Sequence, residues 1–510
     1  MAPMFTFLLR LIFLLFSIFL NYGCSFDIDV SKTRVWGPGL HPETIVLPAR
    51  YFFIHPVDKN NVSLEQSPGD VFKVKILGKS STGQLVNGRA SIQVLDRKDG
   101  SFIVRYKLHD SVRDLEIHIQ YNDRHVAGSP FQTQGVSFAE ECDCPKNKLT
   151  EWLEDMECPM YDQINQDLKP FRRVMFSKLY PVFIERFNQP ESMSLCNYIL
   201  KDNKIFRRCF GKHVGFKMFI DAILLSLARK TCLPDMEIFF NLGDWPLSPS
   251  AGRPLLPLFS WCGSDDTVDI HLPTYDITES SLQCMGRVML DMLSVQTSVD
   301  RPWDDREPKA FWRGRDSRRE RLRLVELSRK HPELLNASLT NFFFYRSEEE
   351  IYGPKEKHVS FFKFFDYKYQ INVDGTVAAY RFPYLLGGGS MVIKQDSKYH
   401  EHFYGLVKPW QHYVPVKHDL SDLIERIRWA HDNDVEAKKI AQAGQKFAQE
   451  NLMPKDIFCY HGRLLQEWTK RLVDPVEVRP EMEMVPQPSD SAKCNCERST
   501  VQVNTLKEEL

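Results

Sequence analysis

Tyr369-Gln370-Ile371-Asn372-Val373-Asp374-Gly375-Thr376-Val377-Ala378-Ala379-Tyr380-Arg381 carries the change of period that decides the fold of the larger part of this chain. Residues 369–373 read as a short apolar strand, Asp374-Gly375 as a tight turn, and Thr376 to Leu386 as a helix. The same alternation recurs on both sides. Gly215 to Ala228 reads as a helix, Met236 to Leu242 as a strand, and Gly243-Asp244-Trp245-Pro246 as the loop beyond it. Further on, Ser390 to Lys394 and His412 to Val416 read as strands, and Leu420 to Trp429 as a helix opened by Asp419 or Ser421. Strands that alternate with helices specify a parallel, doubly wound α/β sheet, and such sheets bind ligands beyond the carboxyl ends of their strands.

Upstream the pattern is different. Residues 26–135 read as all-β, with strands at Ala49 to Ile54, Val71 to Ile76, Ser91 to Val94, Phe102 to Tyr106 and Leu115 to Tyr121. Several alternate with period two and are separated by turn signals such as Asp99-Gly100, so a sandwich is expected. The segment Glu140-Glu141-Cys142-Asp143-Cys144-Pro145 is the hinge into the α/β region of residues 140–475. Beyond it the chain is rich in proline and glutamate, and residues 476–510 read as a flexible tail. No internal repeat is found, and 510 residues allow two to four domains.

Lys and Arg number 66 against 67 Asp and Glu, a formal net charge of -1, which excludes wholesale attraction to nucleic acid or to an anionic membrane. Any basic patch is therefore local. At the amino end, Arg10 precedes the apolar run Leu11 to Leu20, and small residues follow, the order of a cleavable secretory signal over residues 1–24. No later apolar run approaches spanning length. The last four residues, Lys507-Glu508-Glu509-Leu510, differ by one carboxylate-preserving change from the Lys-Asp-Glu-Leu retrieval signal, so the chain is expected in the endoplasmic reticulum lumen and on a retrieval receptor. The 12 cysteines and the sequons at Asn61 and Asn336 agree with that compartment. Cys142-Asp143-Cys144 and Cys494-Asn495-Cys496 have a spacing that suits zinc poorly, and no histidine lies near, so disulfides are expected. Without Cys24 eleven cysteines remain, and at least one thiol is unpaired.

Three stretches could carry chemistry. Asp244, two residues past the strand ending at Leu242, reads either as a general base for a hydroxyl or as an ordinary turn aspartate. The run Trp312-Arg313-Gly314-Arg315-Asp316-Ser317-Arg318-Arg319-Glu320-Arg321 reads equally as a set of guanidinium forks for phosphate or as a solvated helix face. The strand–turn–helix at 369–386 offers backbone N–H groups and a helix dipole to a pyrophosphate, with Arg381 closing the charge. Gly387-Gly388-Gly389 reads as a plain turn between helix and strand. Asp27-Ile28-Asp29, before the sandwich, and Asp432-Asn433-Asp434, inside a helix, read as structural.

Two resemblances sharpen this. Ser31-Lys32, Gly37-Pro38-Gly39-Leu40, Asp99-Gly100-Ser101-Phe102 and Gly128-Ser129-Pro130-Phe131 make the first region resemble a filamin-type immunoglobulin-like repeat, which implies binding or spacing work. Asn241 to Pro246, Trp312 to Ser317, Asp374 to Arg381 and His412 to Lys417 resemble the CAP10-type protein O-glucosyltransferases, in particular the members that carry a filamin-type repeat and a Lys-Asp-Glu-Leu-like end. That resemblance implies a GT-B-type enzyme of two Rossmann-like halves. It would move glucose, and secondarily xylose, from UDP-glucose or UDP-xylose to serine of folded EGF-like repeats, such as those of Notch receptors and fibrillins, with inversion and without metal. By position, Asp244 matches the catalytic base. Arg321 and the segment Thr376, Val377, Ala378, Ala379, Tyr380 and Arg381 match donor contacts, and Arg313, Gly314 and Arg315 lie in the same motif as Arg321. Arg315 and Asp316 depart from the residues of the founding relatives. The resemblance also implies that Cys459 pairs with a cysteine of the 142/144 hinge. The competing function is a luminal binding protein or chaperone for EGF-repeat proteins that keeps the fold and has lost turnover.

Overall fold

The computed structural model describes residues 27–79, 85–145, 147–298, 301–488, and Cys494 and Cys496; the signal at 1–24 and the terminal tetrapeptide lie outside them. The first region is a sandwich. One antiparallel sheet orders Arg34–Trp36, Arg50–His55, Phe102–Leu108 and Ala90–Asp96; the other is built on Phe72–Lys79 and Val112–Tyr121. Along Val112–Tyr121 every second residue, Leu115, Ile117 and Ile119, is fully buried, as period-two alternation demands. Phe102–Leu108 instead is buried at six of seven positions. Val104 and Tyr106 face the sandwich core, while Ile103 packs with Tyr51 into the core of the following region.

That region holds two large sheets and two small two-stranded ones. The first carries β1 (Leu195–Lys201), β2 (Lys204–Phe210), α1 (Lys217–Lys230), β3 (Met236–Asn241), β4 (Leu258–Ser260), β5 (Ile270–His271), α2 (Tyr275–Leu282) and α3 (Met292–Thr297). The second carries β6 (Glu307–Arg315), α4 (Arg319–Lys330), β7 (Leu335–Asn341), β8 (Tyr367–Asn372), α5 (Phe382–Gly387), β9 (Met391–Gln395), β10 (Val414–Val416), α6 (Leu423–Asp432), α7 (Asp434–Asn451) and α8 (Pro454–Thr469). Strand β11 (Glu483–Val485) then returns to the first sheet.

The second sheet is wholly parallel, in the order β7-β6-β8-β9-β10, so the strand order reverses between β6 and β8. A crevice opens at such a reversal, beyond the carboxyl ends of the strands, and here those ends are Arg315 and Asn372. The first sheet corrects the expectation of an all-parallel sheet. Only β3, β4 and β5 are parallel, and β1 and β2 form a hairpin beside β3. Its turn residues Asp202 and Asn203 both have positive φ, 52° and 58°, which Asp and Asn tolerate and a primed hairpin turn requires.

Four further expectations are corrected. Residues 375–381 are irregular, and the helix begins only at Phe382, because Arg318 takes the Gly375 and Thr376 carbonyl oxygens that the first turn of a helix from Thr376 would need. Neither Asp419 nor Ser421 caps α6: Asp419 closes a turn by accepting the Ser421 N–H at 2.9 Å, Leu420 takes φ 58°, and the helix starts at Leu423. Asp432 and Asp434 flank the break between α6 and α7 rather than lying in one helix, and Asp434 is engaged by Lys368 Nζ at 2.7 Å and by the Trp303 indole. The tail is no free strap as far as Val485, since β11 adds to the edge of β2 and Arg479 donates to Glu237 Oε1 at 2.8 Å and to Asn197 Oδ1 at 3.0 Å.

The disulfide map follows from that returning tail. Cys142 pairs with Cys494 and Cys144 with Cys496, so the two Cys-x-Cys motifs face one another. Cys459 is therefore not a partner of the hinge; it pairs with Cys158 and ties α8 to the start of the region. Cys196 and Cys209 bridge the β1–β2 hairpin, and Cys232, Cys262 and Cys284 are the free thiols among the described residues.

Candidate active site

A cleft of about 600 Å³ lies between the two sheets and is lined by Asp244 and Tyr275-Asp276 on one side and by Arg313 to Arg315, Arg321 and Gly375 to Arg381 on the other. The cleft thus brings together Asp244, Arg313 to Arg315, Arg321 and Thr376 to Arg381, whereas Asp316, Arg318, Arg319 and Glu320 of the basic run do not line it.

Asp244 is held by its main chain and left free at its carboxylate. Buried Asn241, at the end of β3, donates from Nδ2 to the Trp245 carbonyl at 2.6 Å and accepts the Gly243 N–H at 2.9 Å. Buried Asp269 accepts the N–H groups of Leu247 and Ser248 at 2.9 and 2.8 Å and the Ser260 hydroxyl at 2.6 Å. The Cys262 thiol donates to the Asp244 carbonyl at 3.4 Å. Among the described residues no donor reaches the Asp244 carboxylate. Partial burial raises its pKa above the usual carboxylate range, and the Arg315 guanidinium opposes that rise. Nearby Asp276 is exposed to the cleft; desolvation by the surrounding walls, and then Glu279 and Asp244, push it up to about 6.

The opposite wall is cationic. Gly314 is required where it stands, because a Cβ there would lie 2.5 Å from the ring of buried Trp312. Arg313 stacks over Phe311 and spends its donors on β7: Nη2 reaches Asn336 Oδ1 at 2.8 Å and Nη1 the Asn336 carbonyl at 3.0 Å. Asn336 in turn donates to the Tyr367 hydroxyl, so both atoms of its amide are engaged within a strand. The folded chain therefore does not offer the Asn336 sequon in a surface loop, whereas Asn61 is exposed in a turn at φ 63°. Asp316, fully buried, accepts the N–H groups of Phe343 and Tyr345 and is a loop staple.

Arg321 is also largely framework. Its Nε donates to the Asp374 carbonyl at 2.7 Å, Nη2 to that of Val373 at 3.2 Å and Nη1 to that of Arg315 at 3.0 Å. Burial first, and then the neighbouring Arg381, lower its pKa to about 9. Arg318, read from the sequence only as one member of the basic run, donates to the carbonyls of Gly375 and Thr376 at 2.5 and 2.8 Å. With the carbonyls of 373–376 clamped outward, the N–H groups of Thr376 to Arg381 have no acceptor among the described residues. Arg381 donates to the Arg313 carbonyl at 2.6 Å and is lowered to about 10 by burial, while Arg315 is exposed and has no partner among the described residues. Unpaired N–H groups beside crowded guanidinium groups can donate hydrogen bonds to an anion.

Asn241, Cys262, Asp269, Asp276 and Arg318 were not picked out from the sequence as site residues. Arg318 had a signal, its place in the basic run; the others act through contacts that only the fold brings about.

Residues 153–509 match glycosyl transferase family 90 and residues 27–132 match the filamin/ABP280 repeat. The chain belongs to glycosyl transferase family 90 and carries a filamin repeat ahead of it. It is 51% identical over 477 residues to protein O-glucosyltransferase 2 of Danio rerio, covering 93% of this chain and 94% of that one. It is 45% identical over 478 residues to protein O-glucosyltransferase 3 of Homo sapiens, with 92% and 93% covered. Human protein O-glucosyltransferase 1 is 31% identical over 320 residues, 61% of this chain and 79% of that one. Among the described residues no helix is long and apolar enough to cross a membrane.

Proposed function

We propose that the chain is an inverting, metal-independent protein O-glucosyltransferase of the endoplasmic reticulum lumen. It transfers glucose, and secondarily xylose, from the UDP-sugar to a serine of folded EGF-like repeats of proteins such as Notch receptors and fibrillins, and its two sheets act as the Rossmann-like halves of a GT-B enzyme. The observation that carries this reading is the run of N–H groups at 376–381 without an acceptor among the described residues, which lies beside Arg315 and Arg381 and lines one cleft with the free carboxylate of Asp244. The names of the similar O-glucosyltransferases support glucose as the sugar and a protein oxygen as the acceptor.

The chemistry is one displacement. Asp244, kept basic by burial, takes the proton of the serine hydroxyl as that oxygen bonds to the anomeric carbon. The bond from that carbon to the diphosphate breaks on the opposite face, and UDP leaves with its charge taken up by Arg315, Arg381 and the N–H groups of 376–381. In this reading the cationic cradle takes the part that a divalent metal would otherwise play at the leaving diphosphate.

The test is to incubate the protein with UDP-glucose, UDP-xylose or buffer and a folded EGF-like repeat, with and without EDTA, and to weigh the repeat. A hexose increment on serine that survives EDTA is expected. No increment with either donor would return the chain to the binding-protein reading, and loss in EDTA reversed by Mn²⁺ would overturn metal independence.

A further inference from the structure

We propose that the filamin-type sandwich is a fixed part of the transfer machinery and that Arg105 is a positioning residue for it, acting through Asp291. The inference rests on the reading of the cleft as the sugar-donor site. Arg105 lies on the sandwich strand Phe102–Leu108 and is 8% exposed. Its Nε is oriented by Gln93 Oε1 at 2.7 Å, within the same sheet. Its Nη1 then reaches out of the sandwich to both carboxylate oxygens of Asp291, at 3.2 and 3.0 Å, and to Ser294 Oγ at 3.0 Å.

Asp291 is 2% exposed and is the N-cap of α3: its Oδ1 accepts the N–H groups of Leu293 and Ser294, both at 2.9 Å. The residue before it, Leu290, lines the cleft. The other face of α3 is seated on α5, so closely that a Cβ at Gly387 would stand 2.9 Å from Val295 and 3.2 Å from Met292. Helix α5 follows directly on Arg381 and carries Tyr384, and both line the cleft. Tyr384 donates to Ser280 Oγ at 2.8 Å, which joins α5 to α2, the helix of Asp276.

Around the ion pair, Leu47, Ala49, Tyr51 and Ile103 of the sandwich belong to one continuous apolar core with Met292, Leu293 and Val295. A module on a flexible linker buries neither a charge pair nor such a core. Displacing α3 would strand a desolvated carboxylate or guanidinium, so the arrangement resists movement of the wall formed by Leu290, Arg381 and Tyr384. The sandwich thereby fixes the donor side of the cleft.

The test compares full-length wild type with Arg105→Met, Arg105→Lys and Asp291→Asn, each first measured for its thermal midpoint and for UDP binding by calorimetry. Kinetics are then taken well below the lowest midpoint. Arg105→Met is expected to raise the KM for UDP-glucose and to cut kcat/KM by about tenfold or more, with the acceptor KM unmoved and Arg105→Lys restoring part of the loss. A merely structural role lowers the active fraction and hence the apparent kcat, with the donor KM unchanged; that result overturns the proposal. Should Arg105→Met fail to fold, Asp291→Asn, which keeps a capping oxygen and its volume, carries the same test, and an unchanged donor KM again overturns it. Wild type that neither binds UDP nor transfers sugar refutes the cleft reading itself, whereas active wild type with unaltered variants refutes this inference alone.

Discussion

Arg318 donates from Nε to the carbonyl oxygen of Gly375 at 2.5 Å and so turns a peptide outward at the point where a helix was expected to begin. Arg318→Met releases that carbonyl and the one at Thr376, and the loop can satisfy its own N–H groups instead of a ligand's. A charge-assisted bond contributes about 1.5–3 kcal/mol, so UDP affinity should fall by roughly ten- to a hundredfold. Calorimetric titration with UDP reads this directly, and unchanged affinity would show that the N–H groups of 376–381 are not the receptor.

Arg321→Lys should be as damaging. Lysine offers one compact ammonium where Arg321 spans the carbonyls of Arg315, Val373 and Asp374, and a strand end is left with unmatched acceptors. Lower thermal stability together with weaker UDP binding is expected, and a variant matching wild type in both would contradict the assignment.

Asp244 works as a base only when ionised, so transfer falls as pH drops through its raised pKa. Arg315 is the cation that opposes the rise. Arg315→Gln should therefore lift the Asp244 pKa further and move the acid limb of kcat/KM to higher pH, beyond its direct effect on the diphosphate. A pH profile of wild type and variant checks the sign; a limb that stays in place or moves to lower pH contradicts it.

Glu401 is fully buried; the Tyr404 hydroxyl donates to its Oε1 at 3.0 Å, and Oε2 has no partner among the described residues. Burial pushes its pKa from 4.5 up to about 8, with Lys394 opposing. Between those values the folded chain keeps a proton that the unfolded chain has lost. Stability contributed by this group is present below the lower value and is lost as pH rises, by up to about 1.4 kcal/mol per pH unit, until the slope ends near the upper one. Glu401→Gln mimics the protonated form and should flatten that slope. Thermal midpoints measured across the window decide it; an unchanged slope would place the ionised carboxylate in the folded state.

The Cys158–Cys459 bridge closes a loop with a sequence separation of 301 residues. Replacing both cysteines with serine should cost about 2–5 kcal/mol, read by denaturant unfolding, and should leave UDP affinity unaltered because α8 lies away from the cleft.

Much of this site could be read from the chain, since Asp244 and 376–381 each follow a short apolar run bounded by turn residues and the basic run is contiguous. What could not be read depended on partners distant in sequence. The helix expected from Thr376 fails because Arg318, more than fifty residues earlier, captures the carbonyls of Gly375 and Thr376. The β1–β2 hairpin went unseen because neither strand alternates apolar and polar residues and its turn, Asp202-Asn203, carries no glycine. The tail was read as free because composition says nothing of Arg207 and Arg208, which hold Glu483 and Glu481 and so keep β11 on the sheet. Cys459 was misplaced for the same reason: the partners of the hinge cysteines arrive only with that tail.

The claim on which the account rests is that one cleft binds the nucleotide diphosphate with the 376–381 wall and takes the acceptor proton with Asp244. The most direct measurement is to titrate wild type and Asp244→Asn with UDP and to assay both for transfer from UDP-glucose to a folded EGF-like repeat. The account predicts equal UDP affinity and a loss of transfer of about a hundredfold or more in the variant. Transfer retained by Asp244→Asn, or loss of UDP binding along with it, would contradict the account.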